Sequence, residues 1–207
     1  TGCVNRGDIS GTSGVGGIAG ICYSTGDLIE DCFNYGKIKA SGDANYGAGG
    51  IAGRLAGMID GCGSFAPVTS ADRYTGGLAG YATARNASTI INSISTDSVS
   101  SSCTNPIAAV GSAVGYAQYL TLENVKASGG VNTGTGFNSP NKGGLIGQQG
   151  TVTDKGLTDG VTLPTSKPDT DTWVRPAAAG DSDTQGSRDL AVPTADRQSI
   201  VGGGDSI

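Results

Sequence analysis

Acidic and amide side chains recur about every thirty residues in this chain, and they are the residues best suited to chemistry. One recurring position holds Asp31, Gly61, Asn92, Asn124 and Asp154, and the position before it carries Glu30, Asp60 and Glu123. Carboxylates clustered on one outer face cleave glycosidic bonds, sometimes with a calcium ion and a basic residue. Asp and Asn also end strands by hydrogen bonding to turn backbone. We favour this turn interpretation, with Asn92 and Asn124 as a short amide ladder, over calcium or carbohydrate contact and over catalysis.

Histidine is absent from the 207 residues, which removes the commonest hydrolase machinery. A Ser-His-Asp or Cys-His nucleophile system and a His-Glu-x-x-His zinc site all require histidine. We therefore predict that this chain is not an enzyme. We assign it no catalytic, cofactor-binding or metal-binding residue, and no cofactor.

A repeat of about thirty residues positions the acidic and amide side chains. Its register marks stand 29, 30, 31, 32 and 30 residues apart, at Cys3, Cys32, Cys62, Ser93, Val125 and Lys155. Six residues after each mark comes a β-branched residue, namely Ile9, Ile38, Val68, Val99, Val131 or Val161. Three residues before the later marks lie Ile29, Ile59, Ile90, Leu122 and Val152. Such a period indicates stacked repeats.

The repeat predicts short strands, because the apolar residues come in compact or alternating runs without helical periodicity. A glycine-flanked element lies between the marks, with Ile18, Ile51, Leu78, Ala113 or Val114, and Leu145 at its centre. Three strands and their turns would make one coil, and stacked coils would align equivalent residues into inward ladders. The fold class predicted is all-β, a right-handed parallel β-helix of about five coils, with roughly 30 residues and three short strands per coil.

Two domains are predicted. Residues 1–162 form the β-helix repeat domain, and residues 163–207 form a segment rich in Pro, Asp, Thr and Gly without a further register pair. This segment is a cap or a linker. We favour a cap, since Trp173 is the sole tryptophan and large apolar rings are seldom left in solvent.

The five cysteines form an odd set without Cys-x-x-Cys spacing, so neither a zinc site nor a disulfide framework is indicated. They are Cys3, Cys22, Cys32, Cys62 and Cys103. Three of them occupy register marks, where Ser93 also stands. We interpret the mark as a position for a small, weakly polar side chain, with a disulfide as the alternative.

Seven tyrosines outnumber the three phenylalanines, and many flank the glycine-rich elements. They are Tyr23, Tyr35, Tyr46, Tyr74, Tyr81, Tyr116 and Tyr119. An outward row of tyrosine rings among polar turns could bind sugar rings or a protein surface. The alternative, which we favour from the sequence, is that the rings cover turn backbone.

Two short motifs match recognition sequences. Arg6-Gly7-Asp8 resembles the integrin-binding tripeptide, but the repeat explains its glycine, because Gly36 and Gly129 also follow their register marks by four residues. Asn86-Ala87-Ser88 fits the N-glycosylation pattern, and we interpret it only as an exposed turn.

Charge and hydropathy limit the partners. The formal net charge is −5 and the thirteen basic residues are scattered, so a nucleic-acid partner is not expected. No run of eighteen apolar residues occurs, and we expect no membrane insertion of this fragment. The chain opens on Thr1 in mid-pattern, and we expect a soluble fragment of a larger parent chain.

The segments Cys3-Val-Asn-Arg-Gly-Asp-Ile9, Cys32-Phe-Asn-Tyr-Gly-Lys-Ile38 and the Gly-Gly-Ile-Ala-Gly pair resemble the GLUG-type repeat of bacterial surface proteins. The resemblance covers residues 3 to about 162. It implies an extracellular or bacterial cell-surface location, in an adhesin or in the non-catalytic part of an immunoglobulin A metallopeptidase. We expect a non-enzymatic stalk or platform that binds host glycan or an extracellular protein. The alternatives are a carbohydrate-active β-helix enzyme, a lyase or glycosidase, and an accessory domain of a large secreted metallopeptidase.

Overall fold

The computed structural model describes residues 1–83 and 88–155, and this part of the chain forms strands and turns without any helix. The Asn86-Ala87-Ser88 motif, Val161, Trp173 and the whole segment 163–207 lie wholly or partly outside the described residues. The described part contains no helix long and apolar enough to cross a membrane.

The strands follow one another in a sequence that repeats from coil to coil. The first coil has β1 (Val4–Asn5), β2 (Ile9–Gly11), β3 (Val15–Gly16) and β4 (Ala19–Ile21). The second has β5 (Leu28–Glu30), β6 (Phe33–Asn34), β7 (Ile38–Ala40), β8 (Ala48–Gly49) and β9 (Ala52–Leu55). The third has β10 (Met58–Asp60), β11 (Gly63–Ser64), β12 (Val68–Ser70), β13 (Tyr74–Gly76) and β14 (Ala79–Ala82).

The last two described coils share a continuous strand. The fourth has β15 (Ser88–Ile91), β16 (Ile94–Ser95), β17 (Val99–Ser101), β18 (Ala109–Gly111) and the start of β19 (Val114–Glu123). The fifth continues from β19 with β20 (Lys126–Ala127), β21 (Val131–Thr133), β22 (Asn141–Lys142) and β23 (Ile146–Asp154). β19 and β23 each combine what are two separate strands in the earlier coils.

Equivalent strands of successive coils pair in parallel and form four sheets. Sheet I is β1-β6-β11-β16-β20, sheet II is β2-β7-β12-β17-β21, and sheet III is β22-β18-β13-β8-β3. Sheet IV is β4-β9-β14-β19-β15-β10-β5, with β23 paired to β19. The molecule is therefore a β-solenoid of about five coils, and the predicted fold class is confirmed.

Each complete coil contains five short strands, whereas the sequence predicted three. Two local bends account for the difference. The first is a turn at positive φ just before each register mark, at Asp31 (φ 51°) and its equivalents, which separates β5 from β6. The second lies within the glycine-flanked element and separates β8 from β9. The first bend is the turn predicted at the acidic and amide column, but the two-residue strand that follows it was not predicted. The second bend falls inside the glycine-flanked element, which the sequence predicted as a single strand.

The inward ladders are largely as predicted. Ile59 pairs with Ile29 on one side and with Ile90 on the other, and Ile90 pairs with Leu122. The second ladder runs Ile9, Ile38, Val68, Val99, Val131. The third runs Ile18, Ile51, Leu78, Ala113, Leu145, and at each step a residue's N–H donates to the carbonyl of its neighbour in the next coil.

The sixth register mark, Lys155, is wrong by two residues. Val152 pairs with Leu120 rather than Leu122, and Leu122 pairs with Asp154. Lys155 consequently lies beside Glu123 rather than Val125, and its Nζ is 3.0 Å from Glu123 Oε2. A shift of two residues leaves the same side chains pointing inward, because strand side chains alternate with a period of two. The hydrophobic pattern therefore could not distinguish the two registers.

Small side chains at the glycine-flanked elements allow the backbones to approach closely. A Cβ added at Gly49 would lie 2.1 Å from the carbonyl oxygen of Ala52, and one at Gly50 would lie 2.2 Å from that of Gly77. Both distances are far inside van der Waals contact. These glycines are thus required by space within and between coils rather than by positive φ.

Candidate functional site

An outward row of side chains on sheet IV is the most distinctive surface of the described chain. Its residues directly follow the last glycine of each glycine-flanked element: Ile21, Arg54, Tyr81, Tyr116 and Gln148. The strand register places each beside the next, because Ile21 pairs with Arg54, Arg54 with Tyr81, Tyr81 with Tyr116, and Tyr116 with Gln148. At roughly 4.8 Å per coil, the row is about 19 Å long.

Tyrosine rings from several coils gather along this row. The Tyr81 and Tyr116 rings stack with centroids 5.3 Å apart and an interplanar angle of 3°. Tyr74, which starts the neighbouring strand of sheet III, packs its ring 5.0 Å from Tyr81 and 5.1 Å from Tyr116. The Tyr81 hydroxyl donates a 2.8 Å hydrogen bond to Gln118 Oε1. The rings are thereby held in a fixed arrangement on a regular sheet.

Arg54 extends this arrangement toward the first coil. Its guanidinium carbon lies 5.3 Å from the ring centroid of Tyr23, 5.6 Å from that of Tyr46 and 5.7 Å from that of Tyr81. These are cation–π distances. Tyr23 is 67% exposed and Tyr46 is 38% exposed, so their rings also face solvent. We call Tyr23, Tyr46, Arg54, Tyr81 and Tyr116 the tyrosine–arginine face.

Burial changes the acidity of the inner tyrosines. Desolvation raises the pKa of Tyr74 and of Tyr81, and the nearby tyrosines raise both further. Arg54 acts in the opposite direction on Tyr81, but burial is the larger effect. The phenols therefore stay neutral at physiological pH and act as hydrogen-bonding groups rather than as bases.

Three of the seven tyrosines contact Arg54, and Tyr74 and Tyr116 join them through Tyr81, whereas the remaining two lie elsewhere. Tyr35 stacks on Phe65 with ring centroids 5.3 Å apart, and Tyr119 is 44% exposed on β19. The interpretation that the rings only cover turn backbone does not describe this cluster, since the rings contact one another and Arg54. The sequence missed Arg54, although its place directly after Gly53 matches that of Tyr81 after Gly80 and was a readable signal.

The acidic and amide column forms turns, as predicted. Asp31, Gly61, Asn92 and Asn124 all have positive φ, between 49° and 64°. Asn124 Nδ2 donates to Asn92 Oδ1 at 2.8 Å, and Asn92 Nδ2 donates to Asp60 Oδ1 at 3.0 Å. The predicted amide ladder of Asn92 and Asn124 is confirmed and reaches one coil further.

The carboxylates of Glu30, Asp31, Asp60 and Glu123 do not meet in an open groove. Asp31 is 4% exposed and Asp60 is 7% exposed. Glu123 faces Lys155, and Glu30 is half-buried at the end of β5. Within residues 1–83 and 88–155, no group of three or more Cys, Asp or Glu side chains is arranged to hold a metal ion.

The register marks form a ladder of thiols and one hydroxyl. The Cys3 N–H donates to Cys32 Sγ at 3.3 Å, the Cys32 N–H to Cys62 Sγ at 3.4 Å, and the Cys62 N–H to Ser93 Oγ at 3.1 Å. Each side chain also donates to the carbonyl two residues before it, as Cys62 does to Asp60 at 3.3 Å. At the second, third and fourth marks a small side chain therefore both donates and accepts, whereas Val125 at the fifth mark does neither.

The cysteines are free thiols in the structure, and four of the five are buried. Desolvation raises the pKa of Cys62 well above its ordinary value. A thiol kept protonated in this way serves as a hydrogen-bond donor and is a poor nucleophile.

The Arg6-Gly7-Asp8 tripeptide takes part in coil stacking. The Arg6 guanidinium carbon lies 4.9 Å from the Tyr35 ring centroid, and Asp8 Oδ1 accepts a 2.8 Å hydrogen bond from the Lys37 N–H. A Cβ on Gly36 would lie 1.9 Å from the Gly7 carbonyl oxygen. These contacts give the motif a role within the fold.

A buried aspartate that the sequence did not single out ties three coils together. Asp72, with no exposed surface, accepts hydrogen bonds from the Ser13 hydroxyl, from the Ala44 N–H at 3.1 Å and from the Arg73 N–H at 2.7 Å. Desolvation raises the pKa of Asp72 despite these hydrogen bonds. The Ser-x-Asp spacing from Ser70, whose hydroxyl accepts the Asp72 N–H at 2.8 Å, was the available turn signal.

A cavity of about 510 Å³ lies beside the fifth coil. It is lined by Ser112, Ala127, Gly129, Val131, Lys142, Gly143, Gly144 and Leu145. Lys142 is the one ionisable group of this lining, so the cavity lacks the carboxylate pair that glycoside hydrolysis uses.

No family model, curated protein or solved structure matches this chain.

Proposed function

We propose that this β-solenoid is a non-enzymatic adhesive module of a bacterial cell-surface or secreted protein, and that it binds host glycan through the tyrosine–arginine face. The GLUG-type resemblance is the ground for the bacterial surface assignment. The observation that carries the binding role is the stacked pair Tyr81 and Tyr116, continued by Arg54, Tyr23 and Tyr46 on one outward face.

The chemistry of the face suits sugars. Pyranose rings present apolar C–H faces that pack on aromatic rings, and their hydroxyls exchange hydrogen bonds with phenol and amide groups. Tyr81 and Gln118 supply such groups at the surface of sheet IV. Because the rings are mutually packed, little side-chain entropy is lost on binding.

The module's mechanism is geometric. The face crosses four coils, from Tyr23 after the first to Tyr116 in the fourth, and equivalent residues stay in register throughout. A stacked-coil fold holds such a row straight, because each coil packs only on its neighbours in a fixed repeat. An extended oligosaccharide could therefore contact several rungs at once.

Binding without turnover is favoured over a lyase or glycosidase. Asp31 and Asp60 are buried at the turns, where the Asp60 carboxylate accepts the Asn92 amide. A general acid and a nucleophile or base must instead flank the scissile bond at the surface. A role as an accessory domain of a secreted metallopeptidase would use the same binding face and differs from the adhesin proposal only in the identity of the parent chain.

The test is a glycan and extracellular-protein binding array probed with the chain, run beside an assay for released sugar products. Tyr23→Ala and Tyr46→Ala remove exposed rings of the face, while Tyr119→Ala removes an exposed ring outside it and is the matched control. We expect glycan binding that the first two variants weaken at least tenfold and the control retains. Product release, protein-only binding, equal loss in all three variants or absence of any binding would overturn the proposal.

A further inference from the structure

Arg54 carries a positive charge that no described carboxylate balances. Arg73 forms an ion pair, with its Nε 2.8 Å from Asp43 Oδ1, whereas Arg54 forms none with the carboxylates of residues 1–83 and 88–155. Arg54 Nε is buried and has no hydrogen-bond partner there. The carboxylate in the neighbouring turn, Asp27, instead accepts the N–H groups of Tyr23 and Ser24, at 2.9 and 3.0 Å.

The surroundings of Arg54 make its unpaired charge unfavourable. Three tyrosine rings enclose its guanidinium and remove part of its water. Cation–π contact compensates only in part, because ring faces do not accept the directed hydrogen bonds that guanidinium N–H groups make. The other positions of the row, Ile21, Tyr81, Tyr116 and Gln148, are neutral and supply no counter-charge.

From this geometry we infer that the ligand of the face is an acidic glycan whose carboxylate pairs with Arg54 while its sugar rings pack on the tyrosines. This inference rests on the glycan-binding function proposed above and names the ligand class. A carboxylate fits best, since the planar guanidinium matches it with two parallel hydrogen bonds. Uronic acids and sialic acids both carry this group beside a pyranose ring.

The position of Arg54 in the row gives the ligand a direction. Arg54 lies one coil from Tyr81 and two coils from Tyr116, and the register fixes this order. An acidic sugar placed at Arg54 would therefore have its next units over the stacked pair Tyr81 and Tyr116. Charge selects the acidic unit and the stacked rings hold the units that follow.

The test compares acidic oligosaccharides with neutral partners of the same rings. Oligogalacturonate, hyaluronan oligosaccharides and sialyllactose are each paired with a carboxyl-reduced form, and affinities are measured by calorimetry with a sulfated oligosaccharide as a further arm. We expect at least one acidic ligand to bind tenfold or more tightly than its reduced partner. Its affinity should fall as salt rises, since an exposed ion pair is screened.

Variants separate charge from ring packing. Arg54→Gln should bind the acidic and the reduced ligand equally, with the weaker affinity that the parent shows for the reduced ligand. Its affinity for the acidic ligand should no longer depend on salt. Arg54→Lys keeps the charge without the planar fork and should retain part of the preference, so it also covers a loss of folding in Arg54→Gln. Tyr46→Ala should weaken binding of both forms. Thermal unfolding of each variant checks that it is folded.

The outcomes distinguish the two proposals. Equal binding of acidic and reduced forms, unaffected by Arg54→Gln, would overturn the acidic-glycan inference and leave the glycan-binding function standing. A preference for the sulfated ligand over every carboxylate would also overturn it. Failure of all ligands, acidic and neutral, would overturn both.

Discussion

Asn124 donates a 2.8 Å hydrogen bond from Nδ2 to Oδ1 of Asn92, one coil earlier, and both residues have positive φ, 54° and 49°. Asn92 in turn donates to Asp60 Oδ1 at 3.0 Å. One residue type thus does two things at this position: it adopts the left-handed turn that bends the chain, and it links neighbouring coils through its amide.

Replacement of Asn92 separates these two contributions. Asn92→Gly keeps the turn but removes the amide, and we expect it to lower the free energy of unfolding by about 1–3 kcal/mol, since Asp60 Oδ1 loses a buried donor. Asn92→Ala also strains the left-handed backbone and should cost about 1–2 kcal/mol more. Urea denaturation measures both. Asn132→Ala, at an exposed strand position, should stay within about 0.5 kcal/mol of the parent.

Cys62 tests whether the second, third and fourth register marks need a side chain that donates and accepts hydrogen bonds. Its Sγ accepts the Cys32 N–H and donates to the Asp60 carbonyl, and Ser93 makes the corresponding contacts one coil later. Cys62→Ser should therefore cost less than about 1 kcal/mol. Cys62→Val, which is apolar, leaves a buried N–H unpaired and should cost about 1–3 kcal/mol more.

Denaturation of the Cys62 variants under reducing conditions excludes disulfide effects. Equal stability of the serine and valine variants would show that the mark selects for size alone. Ser93→Cys is the reciprocal exchange, and we expect it to be tolerated for the same reason as Cys62→Ser.

The aliphatic ladders should not tolerate charge. Ile59 and Leu78 have no exposed surface, and each lies between equivalent residues of two other coils. Ile59→Asp or Leu78→Asp should cost about 4 kcal/mol or more and abolish cooperative unfolding followed by circular dichroism. Thr69→Asp changes an exposed residue of β12 and should unfold like the parent.

Asp72 should make stability depend on pH. Burial raises its pKa in the folded chain above the unfolded value, so the folded state binds the proton more tightly. The contribution of Asp72 to the free energy of unfolding is therefore largest below the unfolded pKa and declines as pH rises through the window between the two values. Asp72→Asn lacks this titration, and its stability relative to the parent should rise across that window.

Denaturation from pH 3 to pH 7 measures the slopes of the parent and Asp72→Asn. Asp72→Ala removes the acceptor of the Ala44 and Arg73 N–H groups and should be destabilised by about 2–4 kcal/mol at the low end of the pH range, with the difference from the parent narrowing as pH rises through the same window. Parallel profiles of stability against pH for the parent and Asp72→Asn would contradict the raised pKa of Asp72.

The architecture could be predicted from the sequence because stacking requires the same type of residue at the same position of every coil. The residue six positions after a mark is β-branched in all five coils, from Ile9 to Val131, and it points inward in each of them. Such regularity is not expected by chance. The amide ladder of Asn92 and Asn124 was predicted on the same ground. The sixth mark, Lys155, was placed wrongly because a shift of two residues at Val152 preserves the inward face.

The candidate site was readable only in part. The tyrosines were recognised as a possible row, yet Arg54 was not, because the repeat marks its position but not its residue type, which differs from coil to coil. Its significance depends on three rings, from Tyr23, Tyr46 and Tyr81, that converge from different coils. Asp72 likewise occurs once and acts across three coils, so it is visible only when the coils are stacked.

The unbroken strands β19 and β23 bear on the order in which the chain folds. They pair from Val114 to Leu122 with Ile146 to Asp154, whereas the other coil-to-coil pairings extend over four residues or fewer in β1 to β18. Every coil must close a loop of similar length, so the entropy of closure favours none of them. The β19–β23 pair is the longest strand pairing of the described residues, and we expect it to act as the nucleus from which the earlier coils add one at a time toward Thr1.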